Sequence, residues 1–305
     1  MPNVETPLTR AATQVSQEII PVLRNTLVGR RLAAINPFIK GDGKTATEYT
    51  SISDISDGFV QWNLPTGTEF GDSIVSKLKI INIPVLYKKF DVRKSDVLAW
   101  ENRLVGQNPE NNLNLLSATA AARKVAEQEE NLIFDGWRPD GTNYAIKGLT
   151  QAAANVITGG AITITGTMFG YVCDAISALE DDVVFGDNGA YNLAITPAIK
   201  AALLSKRYQN GDRELAQIKE ILNGGDIYTT PYIPAGVALV TPVDNSRQHF
   251  EFLNPVDYRV EFAEPKFQNL SNIEGISYEL FTPVYMREHA NGTTDAIAKI
   301  TGLTA

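Results

Sequence analysis

The stretch Arg123-Lys124-Val125-Ala126-Glu127-Gln128-Glu129-Glu130-Asn131-Leu132-Ile133-Phe134-Asp135-Gly136 decides the reading of this chain. It closes a helical pattern that starts near residue 111. Leu115, Ala118, Ala122, Val125, Ala126, Leu132 and Ile133 recur mostly at steps of three and four and form an apolar stripe, interrupted at Glu129. Asp135-Gly136 and Pro139 end the helix. Such a helix needs a sheet or a second helix to cover its apolar face.

Upstream of it the chain reads as extended. Residues 58–64 hold Phe59, Val60 and Trp62, and residues 73–92 are dominated by Ile, Val and Leu. A turn-rich piece at 65–72 joins them, so the pair is expected to form a long hairpin that is unstable without a partner surface. Residues 41–57, rich in Gly, Thr, Ser and Asp, read as loop. Further upstream, 9–28 reads as an amphipathic helix, kinked or restarted at Pro21 and stopped by Gly29 before Arg30-Arg31.

Downstream, β-like runs at 162–165, 183–185, 191–196 and 237–240 alternate with helical patterns at 168–179, 197–206 and 214–222. That alternation describes an α/β middle. The tail, 258–299, is strand-like, with Asn291-Gly292 as a turn signal. Together these make an α+β chain whose ends look elongated and incomplete, as in proteins covered by other subunits.

Composition narrows the chemistry. The 305 residues carry 27 Lys and Arg against 35 Asp and Glu, a net charge of −8, with 44% hydrophobic residues. One cysteine and two histidines leave no material for a disulfide framework or a Cys-rich zinc site within one chain. The net negative charge argues against a dedicated DNA-binding module. No window approaches the length of a membrane span, and 1–10 lacks a secretion pattern, so a cytoplasmic location is expected.

No catalytic motif emerges. Gly41-Asp42-Gly43-Lys44-Thr45 resembles the end of a phosphate loop, but Phe38 stands where the pattern needs Gly. Glu127, Glu129 and Glu130 read as a solvated helix face or as partners in salt bridges between subunits. Cys173 sits among Met168, Val172, Ile176 and Leu179 as a buried structural thiol, with no supporting motif around His249 or His289. Gly224-Gly225 reads as a helix C-cap and tight turn. No catalytic, cofactor or metal site is expected, and the chain reads as an assembling structural protein rather than an enzyme.

Several segments in order resemble the encapsulins, nanocompartment shell proteins built on the tailed-phage (HK97-like) capsid fold. They are Pro7-Leu8-Thr9, Leu27-Val28-Gly29-Arg30-Arg31, Phe59-Val60-Gln61-Trp62, the long-helix run with Ile133-Phe134-Asp135-Gly136, Lys147-Gly148-Leu149, and Glu214 through Gly224-Gly225 to Pro231. The resemblance implies an N-terminal helix and arm over 1–40 and an extended-loop hairpin over 41–90. It implies a peripheral domain from 91–150 and 255–284, with a spine helix at 112–134, and an axial domain from 151–254 and 285–305. Such a chain is expected to assemble as an icosahedral homo-oligomer around a cargo protein that carries a short targeting peptide. A viral capsid protein packaging DNA, found in a virion, is the alternative on the same fold.

The resemblance also places sites. Arg207, Tyr208, Gln209, Asn210, Gly211, Asp212 and Arg213 fall where the family lines its five-fold pore, and Leu23, Leu27 and Arg30 where it docks cargo peptides. Ala33 and Ala34 stand where the family often carries an acid. Trp100 lies beyond the family's flavin position at Val92-Arg93-Lys94, so no flavin is expected. Extra residues occur near 41–50, 97–111 and 143, and no fused ferritin-like segment is expected before Pro7.

Overall fold

The computed structural model describes residues 27–38, 46–52, 76–92, 113–162, 167–208, 211–262, 273–289 and 291–304. The helix read at 9–28, the strand at 58–64, the turn at 65–72 and Trp100 lie wholly or almost wholly outside these residues.

A 3-10 turn, Gly29–Arg31, opens the described chain. Strand β1, Ala46–Ile52, pairs antiparallel with β2, Ser76–Asn82, from Ala46 opposite Asn82 to Ile52 opposite Ser76. This corrects two expectations. Residues 46–52 were read as loop from their polar composition, yet Thr and Tyr suit an extended backbone when a partner strand supplies the hydrogen bonds. The run 73–92 is also two strands. Pro84, which has no N–H to donate, breaks it after β2, and β3, Val85–Val92, leaves the hairpin to pair with a distant strand.

Helix α1, Leu113–Phe134, spans 22 residues, about 33 Å at 1.5 Å per residue. Gly136, with φ +92°, closes it, and the short strands β4, Gly136–Trp137, and β5, Ile146–Lys147, pair directly after. A Cβ on Gly136 would stand 2.3 Å from the Ile146 carbonyl oxygen, so glycine is required both for the turn and for that close approach.

Beyond it come α2, Leu149–Ala152, β6, Ala153–Thr158, and α3, Thr167–Asp181. Then follow β7, Tyr191–Ile195, α4, Pro197–Ser205, and α5, Glu214–Ile221. Thr196 caps α4, its Oγ1 accepting from the Ile199 N–H, with Pro197 in the first turn. Strands β8, Ile227–Thr229, β9, Ala238–Pro242, β10, Phe250–Phe262, β11, Ile273–Tyr285, and β12, Thr294–Thr301, complete the chain.

Two larger sheets organise these elements. The first runs β10-β11-β3, all antiparallel, and α1 packs across it. Small residues on α1, Ala118 and Ala122, with Val125, let the helix approach Tyr258 and Val260 of β10 and Leu86 and Phe90 of β3. The second runs β6-β12-β9-β7-β8 and is mixed: β12 is parallel to β6 and β7 to β8, while β9 is antiparallel to both its neighbours. All residues of β7 and β9 are buried, and Met168, Val172, Leu179, Ile199, Leu203 and Ile218 from the helices share that core.

Three sequence readings change here. Strand β6 is not anticipated: its β-branched run Val156-Ile157-Thr158 is only three residues long and Ala153-Ala154-Asn155 carries little strand signal, so parallel pairing to β12 defines it. Residues 183–185 form a tight connection after α3, not a strand, because Val183 has φ +56°. Of the run 162–165 only Ile162 is described, beside a single bridge from Ala161 to Thr304. The Gly224 turn is as read: Asn223 and Gly224 take positive φ after α5, and a Cβ on Gly225 would sit 1.8 Å from the Tyr191 carbonyl oxygen.

Candidate functional site

Two places that the sequence singled out, the Gly29–Arg31 turn and the loop between α4 and α5, have a defined local geometry. At the first, the chain turns sharply against α1. The Gly29 N–H donates to Glu130 Oε1 at 2.6 Å. A Cβ at 29 would meet Ile133 Cδ1 at 2.6 Å, so a larger residue here requires the buried Ile133 side chain to shift.

Arg30 then turns inward. Its Nε donates to Glu129, its Nη2 donates to Glu129 Oε2 at 3.0 Å and to Glu279 Oε2 at 2.9 Å, and its Nη1 lies 3.9 Å from Asp257 Oδ1. The guanidinium also stacks 5.3 Å above the Phe281 ring. Only 11% of the Arg30 side chain is exposed, against 3% for Glu129 and 1% for Glu279. Burial pulls the guanidinium pKa down, and the charges of Glu129 and Glu279 more than offset that, leaving it raised. One cation therefore joins the turn, α1, β10 and β11.

This arrangement changes two expectations. Glu129 and Glu130 are each 2% exposed, so neither lies on a solvated face; Glu127, bonded to Arg123 and Lys124, does. The clue in the sequence was the carboxylate inside the apolar stripe, since a buried charge requires a partner. Arg30, read as a cargo-docking residue, has its guanidinium bonded internally. Leu27, half-buried, lies just before the turn, and Leu23 is outside the described residues. Glu130 differs from its neighbour. Burial, against the N–H groups of Gly29 and Val28, pushes its carboxyl above the ordinary range.

The second place is a short, tight loop. Arg207 and Arg213 form an isolated antiparallel bridge, the Tyr208 N–H donates to the Asp212 carbonyl at 2.8 Å, and the Gly211 N–H donates to the Tyr208 carbonyl at 2.9 Å. Gly211, with φ +92°, permits that turn. Arg207, Asp212 and Arg213 are exposed and Tyr208 half-buried; Gln209 and Asn210 lie outside the described residues. Glu214 anchors the loop's far end. It is fully buried, and its Oε1 accepts from the Phe169 N–H in the first turn of α3 at 3.0 Å. The result is a fixed base that carries exposed charges.

The remaining reactive groups stay apart. Cys173 on α3 is half-buried, and burial, then the charge of Asp174, raises its thiol pKa, the opposite of what a nucleophile needs. His249 is buried with Nε2 3.1 Å from the Phe185 carbonyl, and His289 Nε2 lies 2.6 Å from Asp295 Oδ1. Among the described residues no group of three or more His, Cys, Asp or Glu could hold a metal ion. No described helix is long and apolar enough to cross a membrane.

Comparisons with known proteins place this geometry. The family described as an encapsulating protein for peroxidase matches residues 4–272. A diheme-cytochrome-encapsulin shell fusion protein of Kuenenia stuttgartiensis is 25% identical over 246 residues, 80% of this chain. The chain spans only 62% of that relative's length. The type 1 encapsulin shell protein EncA of Myxococcus xanthus is 26% identical over 215 residues, covering 70% of this chain and 69% of EncA. Among solved structures, a virus-like particle from Pyrococcus furiosus superposes with a TM-score of 0.64 at 15% identity, over 97% of this chain and 100% of that one. The capsid of Myoviridae phage XM1 superposes with a TM-score of 0.65 at 15% identity, over 90% of each chain. The fold is thus the HK97-like capsid fold.

Proposed function

Because this chain belongs to the family of encapsulating proteins, the encapsulins, we propose that it works as a shell subunit, closing with copies of itself into an icosahedral container around a cargo protein. The observation that carries this is the β1–β2 hairpin. Among the described residues its two strands pair only with each other, and Ile80 is 70% exposed. A hairpin of this kind is marginal by itself; only Ile81 of its described residues packs on a hydrophobic cluster of the body, and a neighbouring copy would supply further surface. The α1 body with its three-stranded sheet serves as the peripheral domain, and the mixed five-stranded sheet with α3, α4 and α5 as the axial one. The role is structural rather than catalytic, and the shell is placed in the cytoplasm.

Cargo docking falls to the segment ending at Leu27, with Leu23 on the same stretch. Arg30 acts there as the internal anchor that sets where this segment leaves the body. The likeness to phage capsids concerns the fold and lends the DNA-packaging alternative no observation of its own. The test is native mass measurement and electron microscopy of the purified full chain, with mass spectrometry of the contents. Megadalton closed particles holding a defined protein are expected. A stable 33.3 kDa species ends the shell reading, and long DNA inside the particles supports the capsid alternative.

The Arg207–Arg213 loop is assigned to the five-fold pore, supported by the exposed charges of Arg207, Asp212 and Arg213 and the anchoring of Glu214. Repeated around an axis, Arg207 and Arg213 form cationic rings, with Asp212 as an anionic one. Converting Arg207→Glu together with Arg213→Glu is expected to slow small-anion entry and speed small-cation entry, without loss of particles. Unchanged stopped-flow entry rates for both ions would remove the loop from the pore.

A further inference from the structure

Glu130 is held differently from the carboxylates around it. Buried, it sits where three parts of the chain meet. From the turn, the Gly29 N–H donates to Oε1 at 2.6 Å, and the Val28 N–H faces the same carboxylate. From the segment after β8, the buried Thr230 hydroxyl donates to Oε2 at 3.4 Å. The third part is α1, which carries the residue itself. These partners are neutral dipoles. Arg30 directs its guanidinium to Glu129 and Glu279 instead, with Asp257 at its edge, and Arg31 is exposed. The titratable groups facing Glu130 are Glu129, beside it on α1, and Tyr232, two residues beyond Thr230. A carboxyl shut away from water among N–H groups, with a second carboxylate next to it, favours its protonated form.

The turn is therefore attached at two adjacent points of different chemistry. Arg30 is an ion-paired anchor. Gly29, one residue earlier, rests directly on Glu130, and a Cβ there would stand 3.3 Å from Oε1, so the bare peptide covers the carboxyl. Arg31 and Leu32 close the turn by donating to the Val28 and Gly29 carbonyls at 2.9 and 3.0 Å. Lifting Val28 and Gly29 while Arg30 stays in place breaks those bonds and uncovers Glu130 to water.

We propose that Glu130 is a proton-operated clasp for the Val28–Gly29 end of the turn: the closed turn holds a proton on the carboxyl, and this end lifts about Arg30 as the proton leaves. Burial first, then the charge of Glu129, sets the closed carboxyl above the ordinary 4.5, against the pull of the two N–H groups; the uncovered carboxyl returns to the ordinary value. Closure is then fully favoured below 4.5 and is lost as pH rises through the closed value. Leu27 lies at this end of the turn, so the clasp sets by pH how the docking segment is presented. That bearing on cargo rests on the docking reading above, whereas the clasp itself does not.

The experiment follows amide hydrogen exchange of the full chain from pH 4.5 upward, by mass spectrometry with fragmentation to the Val28–Leu32 amides, each rate divided by the intrinsic rate at that pH. In the parent, opening is expected to be flat near pH 4.5 and then to rise by up to about tenfold per pH unit, the slope of one released proton. Glu130→Gln keeps an acceptor for Gly29 and has no proton to lose, so its turn is expected to stay at the parent's acid level throughout. Amides of β9, whose residues are all buried, report global opening and should show no such rise. A flat parent profile, or a rise that Glu130→Gln shares, overturns the clasp. So does a Glu130→Gln turn that is open at every pH, the result expected of a merely structural contact. If the variant lacks the parent's circular dichroism, the parent decides: a one-proton rise confined to Val28–Leu32 supports the clasp, and a flat or global one overturns it. These readouts lie within one subunit, so a chain that stays monomeric ends the shell reading while the clasp stands or falls by its own profile.

Discussion

Replacing residues 46–82 by a three-residue glycine–serine linker is expected to leave a folded subunit that forms no particles. Ala46 and Asn82 are paired opposite each other, so their Cα atoms lie about 5 Å apart and a short linker closes the gap. The body should tolerate the change, since β1 and β2 join neither larger sheet. Ile83 is kept, because it is buried with Leu253, Leu280 and Val284; among the described deleted residues, Ile81 packs half-buried against the same cluster, and its loss lowers stability without removing a fully buried residue. Assembly should not tolerate it. If the hairpin's stability comes from a neighbour's surface, removing it takes away that contact from every subunit at once, and a loss of only about 2.8 kcal/mol per contact is a hundredfold in its equilibrium. Sizing by native mass would show the shift from particles to single subunits, and circular dichroism would show the body intact. Particles of unchanged size and yield would mean that the hairpin is not an assembly element.

The second large effect concerns Arg30. Arg30→Ala leaves Glu129 and Glu279 buried without their cation, and removal of one partner from a buried ion pair costs about 3–5 kcal/mol. Urea denaturation at fixed subunit concentration should register most of that loss, because assembly itself adds stability by mass action. Arg30→Met combined with Glu129→Gln and Glu279→Gln should recover much of it, since the penalty lies in the orphaned charges rather than in lost packing. An Arg30→Ala chain as stable as the parent would show that the network contributes nothing. Glu130 supplies a contrast of opposite sign. Its folded pKa is raised above the ordinary 4.5, so the stability it contributes is fully present below that value and is lost as pH rises through the folded value. Glu130→Gln should therefore match the parent in acid and exceed it at neutral pH, retaining the hydrogen bond from Gly29.

Legibility in the sequence followed the range of the interactions. The pattern from Leu115 to Ile133 announced α1, and Asp135-Gly136 its end, because apolar spacing and stop residues act within one element. Gly224-Gly225 marked a helix end for the same reason. Strand partners were not legible. The strand at 46–52 looked like loop until β2 paired with it, and β6 had only the short run Val156-Ile157-Thr158 to mark it before its pairing with β12. Residues 183–185 looked like a strand by their β-branched side chains, and the left-handed Val183 overrode that preference.

The candidate sites divide in the same way. The Gly211 turn was visible, while the anchoring of its base by Glu214 to the start of α3 was not, since 45 residues separate Glu214 from Phe169. For Arg30 the sequence marked a basic pair after a helix stop and an acid interrupting an apolar stripe 99 residues away, without connecting them.

By itself, the sequence determined the long helix, the turn chemistry, the absence of a recognisable catalytic motif and, through an ordered series of short motifs, membership in the encapsulins. Those properties depend on residues close together in the chain, whose spacing and backbone preferences act locally. Only the tertiary structure decided that Pro84 divides one apolar run between the hairpin and the body, that Glu129 and Glu130 are buried, and that Arg30 is an internal clasp. Each of these depends on what a side chain meets across a sheet or beneath a helix. A charge is solvated or buried according to that environment, and its meaning follows from the partner found there.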